Sequence, residues 1–164
     1  MSPLIESVLT KLLAHEEGGG FATTLSASDL NALAAAFESL GVIVRRTSHK
    51  ECYRDGIMYE WEKVLGFPDY QGHNIDAFEE SLCDREIKPR EATALLVEDG
   101  FNLLRSDVMN LPRILEKLGQ GRRASGYWDP SMHFPPLWVV LNFENANQIE
   151  RTLKDHPGVV RVSP

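Results

Sequence analysis

Residues 66–84 read GFPDYQGHNIDAFEESLCD, and the parsing of this stretch decides how the rest of the chain is organised. Gly66 and Pro68 stop whatever helix precedes them: glycine adopts the left-handed turn at a helix end, and proline cannot continue the hydrogen-bond ladder. Asn74 is then placed to start a new helix, since its side-chain oxygen accepts an N–H of the first turn. From there Ile75, Phe78 and Leu82 recur as one apolar stripe, while Asp76, Glu79, Glu80 and Cys83 recur on a different face. Asp69, Asp76, Glu79, Glu80 and Asp84 all fall between Lys63 and Arg85, an interval without Lys or Arg. Like charges at helical spacing repel by a few tenths of a kcal/mol, on the order of 0.2–0.5 per pair. Such a face is destabilising until something positive meets it.

Working outward, 164 residues with 43% hydrophobic and 25% charged content describe one ordinary globular domain. The formal charge of −7 and the lack of a basic stripe argue against nucleic acid and favour a cationic protein partner. Cys52 and Cys83 have no metal-ligand spacing and are expected as reduced thiols. The first twenty residues lack the marks of a secretory leader, and no run of about eighteen apolar residues occurs. A cytoplasmic protein without a membrane span is expected.

In chain order, Leu4, Ile5, Val8, Leu9, Leu12 and Leu13 give an amphipathic helix that docks on the body or on a partner. Glu16 through Gly20 read as its end and as a flexible joint, so residues 1–20 are set apart from an α/β domain over 21–164. Phe21–Leu25 is a short strand. Ser26 or Ser28 caps a helix with Leu30, Leu33, Ala34, Phe37 and Leu40 inward, stopped at Gly41. A buried strand is expected at 42–46, and a helix at 52–65 turns Ile57, Trp61, Val64 and Leu65 inward. Beyond the acidic helix come a buried strand at 93–97, helices at 101–104 and 111–118, and a buried strand at 137–141. A helix capped by Asn145 and a last short strand at 159–162 complete the order. Residues 119–136, with Tyr127 and Trp128, form a long connection of the kind that often serves a function. Apolar strands alternating with amphipathic helices imply a mostly parallel sheet in an α/β fold.

Enzyme signatures are missing. Gly18-Gly19-Gly20 follows a helix, which is the wrong context for a phosphate loop, and there is no GxSxG, HExxH or paired CxxC. No cofactor or metal is implied.

The ungapped run Pro68, Asp69, Tyr70, Gly72, Asn74 and Asp76, with Glu80 one turn further, resembles the signature of the barstar family, small cytoplasmic inhibitors of ribonucleases. The resemblance spans about residues 42–143 and implies a small parallel sheet of three core strands, with terminal strands added here, packed by helices. It also implies no enzymatic activity and a mode of action: an acidic helix and the loop before it fill the cationic active site of a ribonuclease. On that pattern the partner-binding residues are Tyr70, Gly72, His73, Asn74, Asp76, Glu79, Glu80 and Asp84, with Glu116 as a more distant acid. Asp76 takes the place of the first contact acid, in the helical turn where the dipole favours an anion. The inhibitor that gives the family its name carries tryptophan, aspartate and cysteine where this chain has Glu79, Glu80 and Ser81. Those departures bear on which enzyme is bound. The partner implied is a cognate ribonuclease or ribonuclease toxin, which would make the chain an immunity protein. The alternative keeps the fold as a binding module for another basic protein. A hydrolase built on His73 with Asp76 or Glu80 lacks an evident nucleophile and oxyanion donors.

Overall fold

The computed structural model describes residues 1–51, 56–67, 74, 76–78, 81, 91–106, 113 and 135–163. Its elements in order are α1 (Pro3–Leu13), β1 (Gly18–Thr23), α2 (Ala27–Ser39), β2 (Ile43–Ser48), α3 (Ile57–Leu65), β3 (Thr93–Glu98), α4 (Gly100–Ser106), β4 (Leu137–Asn142), α5 (Ala146–Leu153) and β5 (Val160–Arg161). The five strands form one sheet in the order β2-β3-β4-β1-β5, and every pairing is parallel.

Parallel strands must be covered on both faces, and the alternation of side chains divides the core accordingly. Leu95, Val97, Val139 and Leu141 point to one face, under Trp61, Phe78, Leu103, Ile149 and Leu153. Ala94, Leu96, Trp138 and Val140 point to the other, under Ile5, Val8, Leu12, Leu33 and Phe37. Helices α1 and α2 therefore cover one side, and α3, α4, α5 and the helical residues around Phe78 cover the opposite side.

The N-terminal helix docks on the body. Ser2 caps it, accepting the Ile5 N–H at 3.3 Å, and Ile5, Val8, Leu9 and Leu12 are buried. At its far end the Trp138 indole N–H lies 2.9 Å from the Leu12 carbonyl and 3.1 Å from that of His15. A ring from the centre of the sheet thus adds a second donor to two carbonyls at the helix end, which also accept the His15 and Gly18 N–H groups at 3.1 and 2.9 Å.

Gly18–Gly20 do not form the expected joint. They are the first half of β1 and pair with Leu137–Val139. Their lack of side chains is what admits them: a Cβ on Gly18 would lie 2.1 Å from the Leu137 carbonyl oxygen, and its φ of +82° is a glycine conformation. The strand expected from Phe21 accordingly begins three residues earlier, inside the sheet.

Three further expectations change. The strand expected as buried at 42–46 is β2, the edge of the sheet, with Arg45 and Arg46 exposed. Leu40, expected on the inner face of α2, is 55% exposed because the helix has already ended at its C-cap there. The helix expected from residue 52 is α3 and starts only at Ile57, since Gly56 has φ +83° and ψ 147° and breaks any helical path. Residues 52–55, including Cys52, lie outside the described residues, as do Cys83, Tyr127 and Trp128. Of the helix expected at 111–118 only Arg113 is described, and it is helical. Of the two serines offered as the cap of α2, Ser26 takes the place and accepts the Asp29 N–H, and Asn145 accepts that of Gln148 as expected. No helix among the described residues is long and apolar enough to cross a membrane.

Candidate functional site

The path into the acidic segment is set by the end of α3. Gly66 adopts the left-handed conformation, φ 71° and ψ 38°, and the Phe67 N–H returns to the Glu62 carbonyl at 2.8 Å. This closes the helix and turns Phe67 toward the core. Phe67 and Trp61 then flank Phe78, with ring centroids 5.6 and 6.2 Å away. Phe78 is fully buried, and Ser81, one turn on, is 1% exposed. A phenylalanine buried to this degree contributes about 1.5–3 kcal/mol, enough to seat the segment in one orientation.

Asn74 performs the capping its sequence position suggests. Its Oδ1 accepts the Ala77 N–H at 3.0 Å, and its carbonyl accepts the Phe78 N–H at the same distance, the first turn of a helix. With Phe78 turned inward, Asp76 is turned out. It meets Arg113 there, with the guanidinium Nη2 2.9 Å from Oδ1 and the two side chains 47% and 79% exposed. The structure thus brings Asn74 and Asp76 together at one helix start. Tyr70, Gly72, His73, Glu79, Glu80, Asp84 and Glu116 lie outside the described residues.

Two features here have no signature in the sequence. Arg113 is 37 positions from Asp76, so no local spacing signals their pairing. The buried polar groups of α3 are equally hidden: Glu60 is 5% and Glu62 8% exposed, and Glu60 Oε2 and Trp61 Nε1 are buried without a hydrogen bond, as is Ser81 Oγ outside that helix. A helical wheel assigns glutamates to solvent by default, and only the packing of this face encloses them. Among the described residues no group of three or more His, Cys, Asp or Glu is placed to hold a metal ion.

The sheet has a second notable place. After β1 the chain crosses the face that carries α2, and after β4 it crosses the face that carries α5. Adjacent strands that depart to opposite faces create the crevice in which open α/β sheets hold ligands. Here it is bridged. Asn142 holds Leu25 through both backbone groups, and the Phe143 N–H donates to the Thr23 carbonyl at 2.8 Å. The connection Thr24-Leu25-Ser26 has neither glycine nor lysine. Asp29 adds a carboxylate to the first turn of α2, accepting from Ser26 Oγ at 2.6 Å, where a phosphate would need positive potential.

An all-parallel α/β domain with an outward acid on a firmly seated helix defines the class. The chain belongs to the family described as Barstar (barnase inhibitor), whose model matches residues 44–142, more than half of its length. That is an inhibitor family. No curated protein matches the chain. Among solved structures it is similar to the ORC2 protein of Aeropyrum pernix in its ADP form, with a TM-score of 0.60 and 11% identity over 98% of this chain and 46% of that one. It is also similar to a Walker-type ATPase of Pyrococcus abyssi, with a TM-score of 0.54 and 12% identity over 99% of this chain and 53% of that one. The chain spans about half the length of these structures. At such identity the likeness concerns the fold alone.

Proposed function

We propose that this chain inhibits a ribonuclease by placing its acidic helix, and the loop before it, in the enzyme's cationic active site. The observation that carries this reading is the presentation of Asp76. Its side chain is 79% exposed in the first turn of a helix whose inward side is fixed by buried Phe78 and whose start is fixed by Asn74. A ribonuclease cleft is built to hold phosphates, so a rigidly mounted carboxylate meets complementary charge there. The net charge of −7 steers a basic enzyme toward the chain. Membership of the Barstar (barnase inhibitor) family supports the same partner class. On this reading the chain performs no catalysis, and Tyr70, Gly72, His73, Asn74, Glu79, Glu80, Asp84 and Glu116 complete the contact surface around Asp76. It would act in the cytoplasm as an immunity protein against a ribonuclease toxin.

The bridged crevice between β1 and β4 is why the likeness in fold to a Walker-type ATPase and to an ORC2 protein in its ADP form does not lead us to a nucleotide-dependent reading. The test is inhibition of barnase, and of any basic ribonuclease encoded beside this chain, by the purified protein. The double variant Asp76→Ala/Glu80→Ala is expected to raise the inhibition constant at least tenfold, about 1.4 kcal/mol. Equal inhibition by the double variant would end the active-site reading. Capture of a basic protein that is not a nuclease would favour the binding-module alternative.

A further inference from the structure

The interval from Val64 to Asp84 contains no lysine or arginine, so the acidic face has no counter-ion of its own. Tertiary structure brings one in from 37 residues away: Arg113 places its Nη2 2.9 Å from Asp76 Oδ1. We propose that Arg113 is a resident counter-ion that occupies Asp76 in the free protein and is displaced by the partner's cation, which makes Arg113 a determinant of which enzymes are bound. This rests on the reading of Asp76 as a contact acid.

The geometry supports exchange over permanent pairing. Both side chains face water, at 47% and 79% exposure, and a pair so placed is screened and held weakly. A guanidinium arriving from a partner that excludes water replaces it with a stronger contact, because the same charges attract more in a drier setting. In the free protein Arg113 neutralises Asp76. In the encounter it presents a like charge to a basic enzyme, so it slows association and sets a threshold. An enzyme whose own cation reaches Asp76 in good geometry passes that threshold, and a basic surface of the wrong shape does not.

The deciding experiment is stopped-flow association of the full chain with barnase and with any basic ribonuclease encoded beside it, at low and moderate salt. It compares wild type, Arg113→Gln, Asp76→Asn and the double variant. Arg113→Gln is expected to associate roughly three- to tenfold faster at low salt and to bind tighter, from losing both the displacement step and a like charge. The gain should vanish in the Asp76→Asn background, which distinguishes exchange at Asp76 from a general effect of net charge. Unchanged or weaker binding by Arg113→Gln would overturn the inference while leaving the inhibitor reading intact. So would an equal gain in both backgrounds. Failure of all four proteins to bind would overturn the inhibitor reading and this inference together.

Discussion

Asn142 grips Leu25 from across the sheet. The Leu25 N–H donates to Asn142 Oδ1 at 2.8 Å, and Asn142 Nδ2 donates to the Leu25 carbonyl at 3.0 Å. One side-chain amide, 117 positions away in sequence, thereby satisfies both backbone groups of a residue in the β1–α2 connection. Leu25 is itself 5% exposed, so those groups have little access to water and need the amide. The clasp lies where β1 and β4 send their chains to opposite faces, the place at which open α/β sheets in general hold ligands.

Replacing Asn142 by alanine removes both bonds and leaves the Leu25 N–H and carbonyl without them. The expected loss is about 1–3 kcal/mol, read from the midpoint of urea unfolding. Because the clasp and not a phosphate loop occupies this position, ATP or ADP with magnesium should leave the melting temperature of the wild-type chain unchanged. A nucleotide-dependent rise would contradict the account of the bridged crevice.

Trp138→Phe tests the docking of α1. The ring volume is largely kept while the indole N–H, which serves both Leu12 and His15, is lost. Global stability should fall by about 1–2 kcal/mol. Amides of α1 should exchange faster than the global change alone predicts, since the end of the helix loses its hydrogen bond to the sheet and keeps only the local ones from His15 and Gly18. An increase across α1 no larger than the global change would show that the helix is held by its apolar face alone.

Glu60 is the least economical residue of the described core. It is 5% exposed, and its Oε2 is buried without a hydrogen bond. Burying a carboxylate oxygen without a partner is unfavourable, whereas methionine fills similar space and favours the helix equally. Glu60→Met is therefore expected to raise stability by about 1–3 kcal/mol in denaturant unfolding. A destabilised Glu60→Met protein would indicate that the carboxylate is held by more than its static contacts account for.

Much of the fold is legible because its signals are short. Val97 and Leu141 belong to apolar runs that read as buried strands, and β3 and β4 occupy the interior of the sheet. Val44 sits in a similar run, yet β2 lies at the edge, because strand order is a property of the connections and not of the strand's own residues. In the candidate site Asn74 and Phe78 do what their spacing suggests, capping and anchoring the helix. Arg113 was invisible as a partner for Asp76, since an ion pair between distant segments has no periodicity to reveal it.

The sequence by itself determined the alternation of helices and strands, the helix caps at Asn74 and Asn145, the turn at Gly66, and the outward face that bears Asp76. Each of these depends on groups within three or four residues of one another, so the chain encodes them locally. Only the tertiary structure decided that Gly18–Gly20 lie within the sheet against Leu137–Val139, that Glu60 is enclosed, that Asn142 clasps Leu25, and that Arg113 meets Asp76. These relationships join segments far apart in the chain. They exist because close-packed layers bring together surfaces that no local pattern describes.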